Sequence, residues 1–185
     1  MSKALIIVIA IIVIIALWLM SSYNKLVGLR NSAKEGFSTM DVYLKKRFDM
    51  IPNLVETVKG YASHESKTLE SVIQARNSIA NATNISDQLE GESMLTNTLR
   101  SLFALSEAYP DLKANQNFID LQEKIQGVEE DIANSRKYYN GTVLALNNAI
   151  EMFPSNIVAK MFRFEQMSMF EVSNKEEREN VKVQF

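Results

Sequence analysis

One residue pair in the chain has the beginning of a catalytic or zinc-binding motif, His64 followed by Glu65. Zinc peptidases place a second histidine four residues after the first on the same helix, and here that position is Thr68. His64 is the only histidine and the chain has no cysteine, so sites that need two imidazoles or thiolate ligands are excluded. The pattern favours a solvated pair, and we expect no catalytic residue, no metal ligand and no cofactor.

A run of acidic residues, Glu123, Glu129, Glu130 and Asp131, is the second candidate. Carboxylates gather on helices in di-iron bundles, but those sites also require Glu-x-x-His motifs on two helices. The single histidine lies in no such motif. The run is therefore predicted to be a solvated helix face.

Basic residues suggest two ligand hypotheses. The triplet Lys45-Lys46-Arg47 could form a ligand-binding patch, and Arg30 with Asp41 could line a polar pocket beside an apolar stripe. The alternative is that such groups set helix register at a bundle seam, which we favour because no second feature indicates a ligand. Nucleic acid is not an expected partner, since the net charge is −2 and no basic stripe is present.

The elements that would position these residues begin with an apolar segment. Residues 4–20 are seventeen uncharged residues, which is about 26 Å of helix against a hydrocarbon core of about 30 Å. A cleaved signal peptide and a buried core helix are the alternatives, but the run lacks an A-x-A-like cleavage site. We predict a transmembrane anchor over residues 1–22, with Trp18 and Tyr23 at the lipid–water interface.

Flanking charges bear on orientation. Lys3 and the α-amino group precede the segment, whereas Lys25, Arg30 and Lys34 follow it. Positive charge accumulates on the cytoplasmic side, so the pattern favours a cytoplasmic large domain on a single-pass membrane protein.

Helical periodicity continues beyond the anchor. Apolar residues recur every three or four positions from Leu26 to Phe48, which predicts a first helix continuous with the anchor and closed at Pro52. A second helix is predicted from Pro52 to about Ala82.

Two further helices complete the predicted fold. The third ends before Tyr109-Pro110, and the fourth runs from about Asn117 until Pro154 ends it. No segment has the period of a strand. The fold class is therefore all-α, an N-terminal transmembrane helix continuing into an elongated antiparallel four-helix bundle over residues 23–153.

Beyond the bundle, residues 154–170 form an amphipathic segment and residues 171–185 a charged tail. We predict that the segment lies at the membrane surface or contacts a partner subunit. The alternative is a short helix folded back over its own bundle. With Trp18 and Tyr23, the predicted contact residues are Ile157, Val158, Met161, Phe162, Phe164, Met167 and Phe170.

Several motifs resemble the LemA family: YNKLVGLRN from Tyr23, LKKRFDMIPNLVETVKGYA from Leu44, AYPDLKANQNF from Ala108, SRKYYN from Ser135 and FPSNIVA from Phe153. The resemblance covers about residues 20–165 and implies a bacterial single-pass membrane protein with an extended helical domain. It implies no reaction. Phe48 departs from the family pattern, where a polar residue, often histidine, is expected.

These features support three functional hypotheses. The leading hypothesis is a non-enzymatic, membrane-anchored helical scaffold in the bacterial inner membrane, which contacts the lipid bilayer and acts as a homo-oligomer or through contacts with other membrane proteins. The second is a ligand-sensing bundle with a pocket near Arg30 and Asp41. The third is an enzyme that uses carboxylates alone, which no cleft-forming motif supports.

Overall fold

A computed structural model describes residues 2–83 and 85–170, so the predicted tail lies outside the described residues. Within them the chain is all-α, which confirms the predicted fold class. The helices are α1 (Lys3–Lys59), α2 (Ser66–Ala80), α3 (Ile85–Leu105), α4 (Pro110–Lys113), α5 (Gln116–Glu151) and α6 (Ser155–Met161), with a 3₁₀ turn at Ser106–Ala108.

The apolar segment is the beginning of α1. Every side chain from Ala4 to Leu17 is exposed, and helix continues without a break into the folded part of the chain. By its length and composition, α1 could cross a membrane. None of its most apolar 18-residue stretch is buried. The segment is consistent with a membrane anchor or a signal sequence, and its predicted continuity with the first long helix is confirmed.

The predicted end of the first helix was wrong. α1 passes through Pro52 and ends at Lys59. An internal proline costs about 3 kcal/mol because it removes a backbone hydrogen bond and crowds the preceding turn. Ile51, Leu54 and Val58 flank the proline and are fully buried in one core, and burial of each stabilises by about 1.5–3 kcal/mol, which offsets that cost.

The predicted second helix is consequently divided. Its first part belongs to α1, residues 60–65 form a turn, and α2 begins at Ser66. In the turn, the amides of Tyr61 and Ala62 donate to the carbonyl of Val58.

Packing separates the chain into two units. We call residues 2–40 with 134–169 the anchor unit, and Asp41–Ala133 with Phe170 the bundle unit. Both contain a part of α1 packed against a part of α5.

The bundle unit has the larger apolar core, to which α1, α2, α3, α4 and α5 all contribute. Its fully buried members are Ile51, Leu54, Val58, Val72, Ala75, Leu95, Leu102, Leu112 and Ile125. At Gly91 in α3, an added Cβ would lie 2.9 Å from a side-chain carbon of Ile79. A glycine is therefore required where α3 passes α2.

The anchor unit is built on one face of α1 and one face of α5. Leu26, Leu146, Val158 and Ala159 are fully buried together, with Trp18 and Leu19 packed against them. Farther along α1, an added Cβ on Gly36 would lie 3.2 Å from the backbone of Tyr139, so the two helices approach closely there.

Candidate functional site

The most buried charge in the bundle unit is that of Arg47 in α1, which is 1% exposed. Its guanidinium pairs with the carboxylates of Glu92 in α3 and Glu129 in α5. It also donates to the Thr96 hydroxyl at 2.8 Å and to the Glu92 carbonyl at 3.3 Å. One side chain therefore joins three helices. We call Arg47, Glu92, Thr96 and Glu129 the arginine cluster.

Burial dominates the electrostatics of the arginine cluster. Desolvation raises the pKa of Glu92 above its ordinary value, against the opposing effect of Arg47, while Glu129 and Asp41 add negative charge that raises it further. Such a cluster costs desolvation energy and in return favours one alignment of the helices that share it. Because these charges are paired with one another, the arrangement suits helix registration rather than proton transfer to a substrate.

Sequence reasoning favoured a register-setting role for the basic groups but did not single out Arg47 or its partners, although the signal for Arg47 was present. Arg47 lies three residues after Leu44 and four before Ile51, both of which are buried, so it occupies the apolar stripe of α1. Lys45 and Lys46 are exposed, and Lys45 pairs with Asp49 at 3.4 Å. The basic triplet is therefore not one patch, because its third member points into the core.

The acidic run on α5 requires a similar correction. Glu123 and Glu130 are exposed as predicted, but Glu129 is 30% exposed and pairs with Arg47. Glu129 lies four residues after the buried Ile125, which places its side chain beside the core.

His64 is exposed, and Glu65 accepts a hydrogen bond of 2.8 Å from the Tyr109 hydroxyl. That bond raises the pKa of Tyr109, with smaller contributions from burial and from the charge of Glu65. Glu65 thus links the turn before α2 to the residue before α4. In residues 2–83 and 85–170, no group of three His, Asp or Glu side chains could hold a metal ion.

Arg30 and Asp41, the residues of the proposed polar pocket, are both exposed rather than buried beside the apolar stripe. The Arg30 guanidinium lies 5.2 Å from the ring centroid of Phe164, a cation–π contact within the anchor unit. Phe48, the departure from the family pattern, has a similar contact in the bundle unit, with Arg76 at 4.1 Å.

Of the predicted membrane or partner residues, those on α1 lie where the apolar segment ends. Trp18 is half-buried and Tyr23 is exposed. The Tyr23 ring packs against Phe162 and Phe164, with centroids 4.7 and 5.9 Å apart. The two predicted groups of residues, on α1 and after Pro154, are therefore brought together.

The residues after Pro154 divide into two sets. Ile157, Met161 and Phe162 are exposed, and their contact with a membrane or partner stays a prediction. Val158 is fully buried and is a core residue rather than a surface contact, because α6 turns that face toward Leu26 and Leu146. Phe164 and Met167 are half-buried and Phe170 is buried.

Hydrogen bonds hold part of this segment on its own chain. The Asn147 side chain donates to the Met167 carbonyl at 2.9 Å and accepts from the Met167 amide at 3.0 Å. The Tyr139 hydroxyl donates to the Ser168 carbonyl at 2.8 Å. Residues 162–169, which we call the strap, are therefore held on the anchor unit by its own side chains.

Comparison with known proteins gives a consistent result. Residues 36–185 match the model of the LemA family. The protein LemA of Metamycoplasma hominis is 24% identical over 151 residues, which cover 81% of this chain and 69% of that protein. The family match reaches into the tail, beyond the motifs that carried the resemblance, and begins after the Tyr23 motif.

Proposed function

Because the chain belongs to the LemA family, we propose that it is a membrane-anchored helical scaffold that acts by self-association or by contacts with membrane proteins, without catalysing a reaction. The observation that carries this proposal is α1, a single helix that leads from an exposed apolar segment into both packed units. Because no linker separates them, the anchor unit follows the apolar segment directly along α1.

We further propose that the anchor spans the inner membrane of a bacterium once and that the large domain is cytoplasmic. The three basic side chains that follow the apolar segment support this orientation. The arginine cluster supports a structural role, since its charges pair with one another across three helices. The ligand-sensing alternative is not retained, because Arg30 and Asp41 are exposed.

Anchoring is tested by charge substitution in full-length protein expressed in bacteria. Ile9→Lys with Ile12→Lys places two charges in the apolar segment, at about 3 kcal/mol each near the bilayer centre. We expect alkaline carbonate to release this variant and to leave the parent protein in the membrane. Val42→Lys, at an exposed α1 position outside the segment, is the matched control and stays bound. Equal release of all three proteins would contradict anchoring.

Orientation is tested with a single thiol, since the chain has no cysteine. Ile73→Cys places the thiol at an exposed position of the bundle unit. A membrane-impermeant maleimide should label it only after cell lysis. Labelling of intact spheroplasts would place the domain on the other side of the membrane.

A further inference from the structure

The turn between α5 and α6 exposes two large apolar side chains. Phe153 is 78% exposed and Met152 is 62% exposed. We call residues 152–155 the α5–α6 corner. Neither Met152 nor Phe153 was among the predicted contact residues. Apart from two residues on α1, those residues lie in the segment after Pro154, whereas both of these side chains precede that proline.

The corner lies beside the end of the apolar segment. Trp18 and Ser22 of α1 line the same cleft as Met152 and Phe153, with a volume of about 420 Å³. Trp18 is half-buried and packs against the cluster that contains Leu146 and Val158. The folded anchor unit therefore overlaps the last turn of the predicted span.

Because Trp18 belongs both to the predicted span and to the folded anchor unit, its position sets how deep the α5–α6 corner lies in the membrane. The uncharged run of about 26 Å is no longer than the hydrocarbon core, so a spanning α1 keeps Trp18 at the hydrocarbon boundary. Side chains that share a cleft with Trp18 are then at the level of the lipid interface. Lys25, which lines the same cleft, is seven residues farther along α1, or about 10 Å, at the level of the lipid phosphates.

We propose that the α5–α6 corner inserts Met152 and Phe153 into the leaflet from which α1 emerges, as a second membrane contact of the chain. The inference rests on the proposed function in one respect, that α1 spans a bilayer. Lipid chains would cover the apolar side chains that the anchor unit leaves exposed, and the Lys25 ammonium would face the phosphates. Two contacts would fix the orientation of the anchor unit, which a single helix crossing does not do.

The inserted element is the corner rather than the strap. Backbone groups of the strap are held by Asn147 and Tyr139, and its ring Phe164 packs against Tyr23 and Arg30. Phe153 has no such ring contact among the aromatic pairs of the described residues.

The test uses three single-cysteine variants of the full chain in phospholipid nanodiscs. Phe153→Cys probes the corner, Ile14→Cys probes the anchor, and Tyr138→Cys is the matched control on α5. Tyr138 is 52% exposed and fifteen residues from Phe153, about 22 Å along the helix. Each thiol carries an environment-sensitive fluorophore, and the discs contain nitroxide-labelled lipid or unlabelled lipid.

We expect nitroxide lipid to remove most emission from the probes at 14 and 153 and little from the probe at 138. Quenching at 14 without quenching at 153 overturns the corner proposal and leaves the anchor intact. An unquenched probe at 14 overturns the anchor itself, and with it the proposed function.

An apolar fluorophore can draw itself into lipid, so a second measurement uses the free thiols. A charged maleimide should modify Phe153→Cys at least tenfold more slowly than Tyr138→Cys in nanodiscs. The structure makes residue 153 the more exposed of the two, so slower reaction there would reflect cover by lipid. Equal or faster reaction at 153 overturns the proposal.

Discussion

The two units of the chain use polar and apolar residues in opposite ways. The bundle unit buries a charge, Arg47, beside a large apolar core and pairs it with carboxylates from two other helices. The anchor unit has a small apolar core, and leaves Phe153, Met152 and Ile157 exposed. We expect a membrane to cover the side chains that the anchor unit leaves exposed beside the end of the apolar segment.

The largest effect is expected at the buried charge. Arg47→Ala leaves Glu92 buried without its cation, and breaking a buried pair in this way costs about 3–5 kcal/mol. Thermal unfolding of the full chain in mild detergent, followed by circular dichroism, should show a strongly lowered midpoint. Lys46→Ala, at the adjacent exposed position, is the control and should change stability by less than about 0.5 kcal/mol. Equal midpoints for the two variants would show that the arginine cluster does not hold the bundle unit together.

A comparable loss of stability, caused by truncating an apolar core residue, is expected in the anchor unit. Leu146→Ala empties a fully buried site next to Leu26 and Val158, which costs about 2–5 kcal/mol. Hydrogen exchange should accelerate in residues 134–151. Leu144→Ala, two positions away at an exposed site, should leave exchange unchanged, and acceleration by both variants would show that this part of α5 has no packed face.

Much of the fold could be predicted because helical spacing reports burial directly. The apolar stripe of the predicted fourth helix is largely buried along α5: Leu121 and Ile150 are half-buried, and the buried members are Phe118, Ile125, Val128, Ile132, Tyr139 and Leu146. The same reasoning failed at Pro52, where tertiary burial of Ile51 and Leu54 outweighs a local penalty.

The candidate sites were less predictable, for a different physical reason. Arg47 carries a charge, and a charge is assigned to the surface unless its partners are known. Those partners, Glu92 and Glu129, are 45 and 82 positions away. Their pairing depends on how three helices are aligned. The spacing of apolar residues along one helix carries no information about that alignment.

A smaller effect is expected at the strap. Asn147→Ala removes two hydrogen bonds to the Met167 backbone, each contributing about 0.5–1.5 kcal/mol. Residues 162–169 should exchange amide hydrogens faster, with little change in the bundle unit. The control is Asn148→Ala, the exposed neighbour. Unchanged exchange in the Asn147 variant would mean that other contacts retain the strap.

The smallest effect is a pH dependence. Burial raises the pKa of Glu92 in the folded state, so the folded chain binds this proton more tightly than the unfolded chain, and the contribution of Glu92 to stability decreases as pH rises through that raised pKa. Glu92→Gln removes the titrating group. The melting midpoint of the parent relative to that of Glu92→Gln should therefore rise as the pH is lowered through the raised pKa of Glu92 toward its ordinary value of 4.5. A relative midpoint that falls on acidification would show that pairing with Arg47 outweighs burial.

Self-association is one of the two ways in which the proposed scaffold would act, and the mass of the native assembly tests it most directly. The full chain would be extracted in mild detergent, transferred to nanodiscs and weighed over a wide range of protein concentration, with the Val42→Lys and Ile9→Lys/Ile12→Lys variants alongside. Self-association predicts masses at multiples of the single chain for the parent and for Val42→Lys, persisting on dilution. A single-chain mass at every concentration, in both detergent and nanodiscs, would contradict it.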